Sequence, residues 1–322
     1  MNRETLPVLI TSFNRPDLLE QVLKRTKDSG CTNIYFASDG PRNDSDKVLI
    51  QRCFNLVLDF YPEIHSDRIL RRTKNLGCRV AMAENIIWFF DSVEFGVVLE
   101  DDCLPSELFF DFMIDALSNF ESSHDIFLVS GYAPICFDYE GMYRKSIYPL
   151  IWGWGSWASR IKRYRLNFDD YKSIVSKAEK LRLNNQFTFY ESKIWTSLLR
   201  RAGNGRINTW DYSLTASAWR EMQYVIHSKL NLVENIGFRA DATHTIRSAP
   251  EWAEQKLIPD KAIFFYKHLI KYSESELKMD RQIEKAIYNL DFTGLIRLYL
   301  GLIKRLVIST IRKPIDWSTN SG

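Results

Sequence analysis

The chain has 322 residues, of which 45% are hydrophobic and 26% charged. It is long and apolar enough to bury a sizeable core, which excludes a disordered chain. A net charge of +3 excludes nucleic-acid binding driven by bulk charge, so any basic function must come from local clustering.

In chain order, "LPVLI" (6–10), "NIYFASDG" (33–40), "GVVLEDD" (96–102) and "IFLVSGY" (126–132) are short apolar or β-branched runs that stop at polar residues or glycine, as buried strands do. Between them lie helical patterns. "RPDLLEQVLKRTKDSG" carries an apolar stripe through Leu18, Leu19, Val22 and Leu23 and closes at Gly30. "PSELFFDFMIDALSNF" repeats it through Leu108, Phe109, Phe112, Met113, Ala116, Leu117 and Phe120, with Pro105 near its start. The alternation predicts an α/β domain with a mixed, mainly parallel sheet flanked by helices, whose ligands collect beyond the carboxyl ends of the strands. Polar groups gather at those ends: Asn14 and Arg15 after the first strand, Ser38 and Asp39 after the second, and Glu100, Asp101 and Asp102 after a later one.

From about Ile151 the alternation gives way to an aromatic, glycine-bearing loop, "IWGWGSWASR", and then to helical and short strand patterns up to about His244. The main domain is assigned to residues 1–250 and a helical, charged C-terminal extension to 251–322. Within 292–313 a projection at 100° per residue gathers Arg297, Lys304, Arg305 and Arg312 on one arc and Leu295, Tyr299, Leu302, Ile303, Leu306, Val307 and Ile311 opposite. Such a helix suits either an anionic membrane surface or packing against protein. The five cysteines form no CxxC pair and read as reduced thiols. The N-terminus lacks the layout of a signal peptide, so the expectation is a cytoplasmic protein, peripheral on the inner face of the membrane if the tail binds lipid.

Three consecutive carboxylates repel one another and raise each other's pKa unless cations or donors offset them, so Glu100–Asp101–Asp102 suggests a positive partner. The chain has neither a GxxxxGK[ST] nor a GxGxxG after its first strand. A phosphorylated ligand would therefore be held by basic side chains and by a hard cation, Mg²⁺ or Mn²⁺, bound through one or two carboxylates. Asp102, nearest the following loop, is the candidate metal ligand; Glu100 and Asp101 suit hydrogen bonds from sugar hydroxyls. Trp152, Trp154 and Trp157 offer ring faces for a sugar. Asp211, after Trp210 and opening a helical pattern, is either a general base or a helix cap. Asp169 and Asp170 are the fallback for the base.

These residues resemble the GT-A fold glycosyltransferases. "VVLEDDCLPSELFFDF" is similar to the N-acetylglucosaminyltransferase I family, and "PVLITSFNRPDLL", "FASDG", "VSGY", "YPLIWGWGSW" and "NTWDYS" follow in the family's order, over about Pro7 to His244. The resemblance implies an inverting, metal-dependent transfer of a sugar from a nucleotide diphosphate, a UDP-sugar, to a glycan or lipid-linked hydroxyl in surface polysaccharide synthesis. It implies Mn²⁺ or Mg²⁺ on Asp102, with His244 reaching metal or diphosphate, nucleotide contacts from Arg15, Asp39 and Arg79, and Asp211 as base. The family carries two adjacent acids after its Trp, whereas Tyr212 follows Asp211 here. Two other classes remain open. A sugar-nucleotide pyrophosphorylase would carry a Gly-rich loop that "TSFNRP" lacks, and a non-catalytic nucleotide-sugar or carbohydrate-binding module would need no base.

Overall fold

The computed structural model describes residues 1–133, 142–181 and 189–238. Contacts divide the chain into two compact units, Met1–Asp280 and Arg281–Gly322, and every described residue belongs to the first. The sequence-drawn boundary at 250, the amphipathic segment 292–313 and His244 lie outside the described residues.

The elements run β1 (Val8–Ser12), α1 (Pro16–Asp28), β2 (Ile34–Ser38), α2 (Asp44–Phe60), β3 (Ile69–Arg71), α3 (Cys78–Ser92), β4 (Phe95–Glu100), β5 (Cys103–Pro105), α4 (Glu107–Asn119) and β6 (Ile126–Ser130). They continue with β7 (Tyr143–Ser146), β8 (Trp154–Trp157), α5 (Ala158–Ile161), α6 (Tyr171–Leu181), α7 (Phe189–Gly203), α8 (Asp211–Arg220), β9 (Tyr224–Ser228) and β10 (Val233–Asn235). One eight-stranded sheet has the order β3-β2-β1-β4-β8-β6-β9-β7, and β5 and β10 form a separate two-stranded ribbon. β1 to β4 are mutually parallel, β6 and β9 form a second parallel pair, and β8 and β7 are antiparallel to their neighbours. The expected α/β class with a mixed, mainly parallel sheet and flanking helices is what the chain forms.

Local chemistry explains the starts and stops. α1 opens on Pro16 with Asp17 in its first turn, favourable for the missing N–H and for the helix dipole, and ends at Ser29 before Gly30. In α2 the Asn43 side chain accepts from Asp46 N–H at 2.9 Å, satisfying one orphan donor. The stripes on α1 and α4 are buried as their spacing demands: Leu18, Leu19, Val22 and Leu23, then Leu108, Phe109, Phe112, Met113, Ala116, Leu117 and Phe120. Each of these side chains other than that of Ala116 is worth roughly 1.5–3 kcal/mol on burial. With Val8, Ile10, Phe36, Val97 and Leu99, all of them except Leu18 join one hydrophobic core.

The aromatic segment after Ile151 is a correction to the sequence-based expectation of a loop: Trp154–Trp157 is β8, an internal strand between β4 and β6. All four residues are buried, so the polarity alternation that marks a half-exposed strand is missing, and the glycines mimic a turn. The four described cysteines, Cys31, Cys53, Cys78 and Cys103, are free thiols. Among the described residues no helix is long and apolar enough to cross a membrane.

His227 on β9 is fully buried, with Nε2 3.0 Å from the carbonyl oxygen of Tyr148. Burial pushes its pKa down to about 4. The unfolded chain, with a histidine near ~6.5, then binds the proton more readily, so stability falls as pH drops from about 6.5 toward the folded value. We expect wild-type protein to lose roughly 2 kcal/mol more than His227→Gln between pH 7 and 4.5 in urea unfolding. Equal losses in the two proteins would show that another group carries the acid sensitivity.

Candidate functional site

The site stands on the register of β1 and β4. Thr11 pairs with Glu100, so the chain leaves both strands at one level, with Ser12–Arg15 on one side and Asp101–Asp102 on the other. Ser12 Oγ donates to Asp101 Oδ2 at 2.8 Å, and the Phe13 N–H approaches the same oxygen at 3.4 Å. Arg15, at the start of α1, bridges the acids: Nη1 reaches Asp102 Oδ2 at 3.0 Å and Nη2 pairs with Asp101 Oδ1. The loop is braced from α2, where Asn14 Nδ2 donates to Asp46 at 2.7 Å and the Arg42 guanidinium lies 4.8 Å from the Phe13 ring centre.

The electrostatics are those of an under-neutralised acid cluster. Burial, then Asp102 and Asp101, raise the Glu100 pKa well above the usual carboxylate range, and Asp211 adds to the effect. Burial pushes Asp101 up to about 6 even against the opposing pull of Arg15. Burial opposes the Arg15 charge, yet Asp101 and Asp102 hold its pKa above the ordinary arginine value. Cys78, the first residue of α3, is pushed up to about 12 by burial, with Glu100, Asp211 and Asp102 contributing. Glu100, Asp101, Asp102, Asp211, Arg15 and Cys78 thus share one electrostatic neighbourhood at the carboxyl edge of the sheet.

Asp211 arrives from far along the chain as the first residue of α8. Its Oδ1 accepts from Thr209 Oγ1 at 2.6 Å and from Tyr212 N–H at 2.7 Å. The cap position is Trp210, with no side-chain cap bond, so Asp211 is not the N-cap that its position before a helical pattern suggested. Ser213 through Trp219 are all buried, and the hydroxyls of Ser213, Thr215 and Ser217 bond to Leu166, Asp211 and Ser213 carbonyls. A helix so enclosed is a fixed support for its first residue. Asp170, the fallback base, is held by a two-pronged ion pair from Arg220 at 2.9 and 2.8 Å, and Asp169 precedes it in the bend before α6.

The remaining predicted residues divide. Asp39 receives Gly40 N–H (2.8 Å), Leu76 N–H (2.9 Å), Gly77 N–H (2.9 Å) and Asn75 Nδ2 (2.9 Å), so its acceptor sites are filled by the chain itself. It staples the β2 end to the entry of α3, where Gly77 adopts φ +77, a conformation that favours glycine. Arg79 is buried and donates from Nη2 to the Leu166 carbonyl (2.8 Å), Asn167 Oδ1 (2.8 Å) and the Ala202 carbonyl (3.1 Å), so it clamps the α6 approach and α7 instead of facing the acids. Trp154 and Trp157 are core residues, a correction to their assignment to a sugar pocket. Trp154 is wholly buried against Phe90 and Trp210, and Trp157 lies beneath the Arg160 guanidinium. Trp152 is half-buried, against Tyr132 and Phe238, just before β8. His244 lies outside the described residues.

Sequence reasoning missed Ser12, Cys78 and Gly237, which meet the acids only through folding; no local pattern marks them. Among the described residues no three His, Cys, Asp or Glu side chains form a metal cage. No protein-family model and no curated protein matches the chain.

Removing the Asp39 carboxylate leaves its backbone donors unpaired, so Asp39→Ala should cost about 2–4 kcal/mol in urea unfolding. A loss below about 0.5 kcal/mol would return Asp39 to the residues available for ligand contact.

Proposed function

We propose that the chain is a metal-dependent, inverting glycosyltransferase of the GT-A type, moving a sugar from a nucleotide diphosphate, a UDP-sugar, to a glycan or lipid-linked hydroxyl. The observation that carries this is the meeting of Arg15, Glu100, Asp101, Asp102 and Asp211 at the carboxyl edge of an α/β sheet, from three separate parts of the fold. A sheet of this class with its polar groups beyond the strand ends is compatible with the GT-A fold. The sequence resemblance supplies the reaction, and the convergence supports it independently of that resemblance.

The donor set fits a hard divalent cation that takes few ligands from protein. Asp102 is a partly exposed carboxylate, 16% accessible, next to Glu100 and Asp101, and Mg²⁺ or Mn²⁺ is commonly held by one or two carboxylates with phosphate and water in other positions. Asp102 would hold Mn²⁺ or Mg²⁺, which supplies Lewis-acid stabilisation of the leaving diphosphate when bound. Arg15 orients both Asp101 and Asp102 and brings a guanidinium to the place where phosphate charge accumulates. Asp211, fixed by Thr209 and the Tyr212 N–H, takes the proton from the acceptor hydroxyl as that oxygen attacks the anomeric carbon, and the nucleotide diphosphate departs from the opposite face. The half-buried Trp152 offers a ring face for a sugar.

Nucleotide release from a panel of nucleotide sugars, with and without Mn²⁺ and with candidate acceptors, tests the proposal. Asp102→Ala is expected to abolish transfer and weaken Mn²⁺-dependent donor binding; full turnover by that variant overturns the assignment. Asp211→Asn is expected to keep donor affinity while kcat falls by ~10²-fold or more. Unchanged kcat would remove Asp211 from the chemistry, and donor binding without any turnover by wild-type protein would favour a binding module.

A further inference from the structure

The segment 231–238 passes over the acid loop. β10 pairs antiparallel with β5, Asn235 opposite Cys103, and the Ile236 N–H donates to the Asp102 carbonyl at 2.8 Å. The next residue, Gly237, lies directly against the Asp102 side chain. A Cβ at 237 would stand 2.3 Å from Asp102 Oδ2, 2.8 Å from its Cβ and 2.9 Å from its Cγ, all below the 3.0 Å that real Cβ atoms respect. The Gly237 backbone does not require the left-handed region, so space alone excludes a side chain there. Its N–H donates to Asn235 Oδ1 at 2.9 Å, which fixes the turn after β10.

The oxygen that a side chain at 237 would strike is the oxygen held by Arg15 Nη1 at 3.0 Å. Asp102 Oδ1 lies 3.6 Å from Cys103 Sγ. The carboxylate is therefore confined between the Arg15 guanidinium, the Gly237 backbone and its neighbouring thiol. Displacing it to admit one methyl group would move Oδ2 away from Arg15 or lift the strap off β5. Phe238, next in the strap, meets Trp152 edge-on with ring centres 5.7 Å apart, so a shift of the strap also disturbs Trp152.

We propose that Gly237 is a positioning residue of this site: the missing side chain lets the β10 strap seat on Asp102 and hold its carboxylate in the orientation that meets Arg15 and, on the function proposed above, the metal–diphosphate. The test uses the full chain and two readouts. Electron paramagnetic resonance titration of Mn²⁺ in the presence of UDP should show at least tenfold weaker Mn²⁺ retention by Gly237→Ala than by wild type, measured on folded protein. Thermal unfolding should show a loss for Gly237→Ala that falls to less than half in an Asp102→Gly background, where all three crowded atoms are gone. If Gly237→Ala alone fails to fold, recovery of folding in the double variant supports the contact. Wild-type-like Mn²⁺ retention by Gly237→Ala, or an equal thermal loss in both backgrounds, overturns the proposal. Failure of wild-type protein to bind Mn²⁺ with UDP overturns the function proposed above, and the thermal cycle then decides the role of Gly237 by itself.

Discussion

The bridge from Arg15 to Asp101 and Asp102 is the interaction on which the site depends. Three consecutive acids follow a buried strand, and their mutual repulsion in a region of reduced dielectric would drive them apart or force them to bind protons. One guanidinium, arriving from the start of α1, spans two of them with its planar fork. The Thr11–Glu100 pairing makes this possible, because it lets β1 and β4 end at one level and turn their loops toward each other. A slip of one residue would turn Ser12 and the acids to opposite faces and break both the Ser12–Asp101 bond and the bridge.

The bridge is incomplete as neutralisation, and that incompleteness separates the site from ordinary structural polarity. Glu100, Asp101 and Asp102 crowd one guanidinium that pairs with only two of them, and burial, with the neighbouring acids adding to it, raises the pKa values of Glu100 and Asp101. Replacing buried charges by apolar groups of similar volume is often stabilising, so stability alone does not favour such a set. The surroundings nonetheless hold it firmly: Asn14 and Arg42 brace the Arg15 loop through Asp46 and Phe13, and the enclosed α8 delivers Asp211. Rigid support for a destabilising constellation is the arrangement expected of a binding or catalytic site.

Much of this was legible in the sequence where short-range physics governs. The strands β1, β2, β4 and β6 ended at polar residues, and the stripes on α1 and α4 had a helical period, so the fold class and the acid-bearing edge followed. β8 was not legible, because a strand buried on both faces lacks alternation and Gly153 and Gly155 read as breakers. Asp39 and Arg79 show another limit: a side chain at a strand end or helix start looks the same in sequence whether its partner is a ligand or the chain's own backbone. Only the fold brings the 75–77 loop to Asp39 and the 166–167 and 202 carbonyls to Arg79. Gly237 was silent for the same reason, since it lies 135 residues from Asp102 in sequence.

Asp39 and Asp102 form a natural comparison, since each follows the carboxyl end of a parallel strand in the same sheet. Asp39 is met by three backbone N–H groups and one amide, neutral donors fixed by the turn into α3, and needs no cation. Asp102 is met by a guanidinium shared with Asp101, a thiol and the bare α-carbon of Gly237. The first set satisfies a carboxylate and closes it off. The second orients a carboxylate while leaving its charge only partly compensated and part of its surface open to solvent. Two aspartates in like positions thus differ in what they still require, and that difference, more than the presence of acid at a strand end, is why the proposed function gives the cation to Asp102 and not to Asp39.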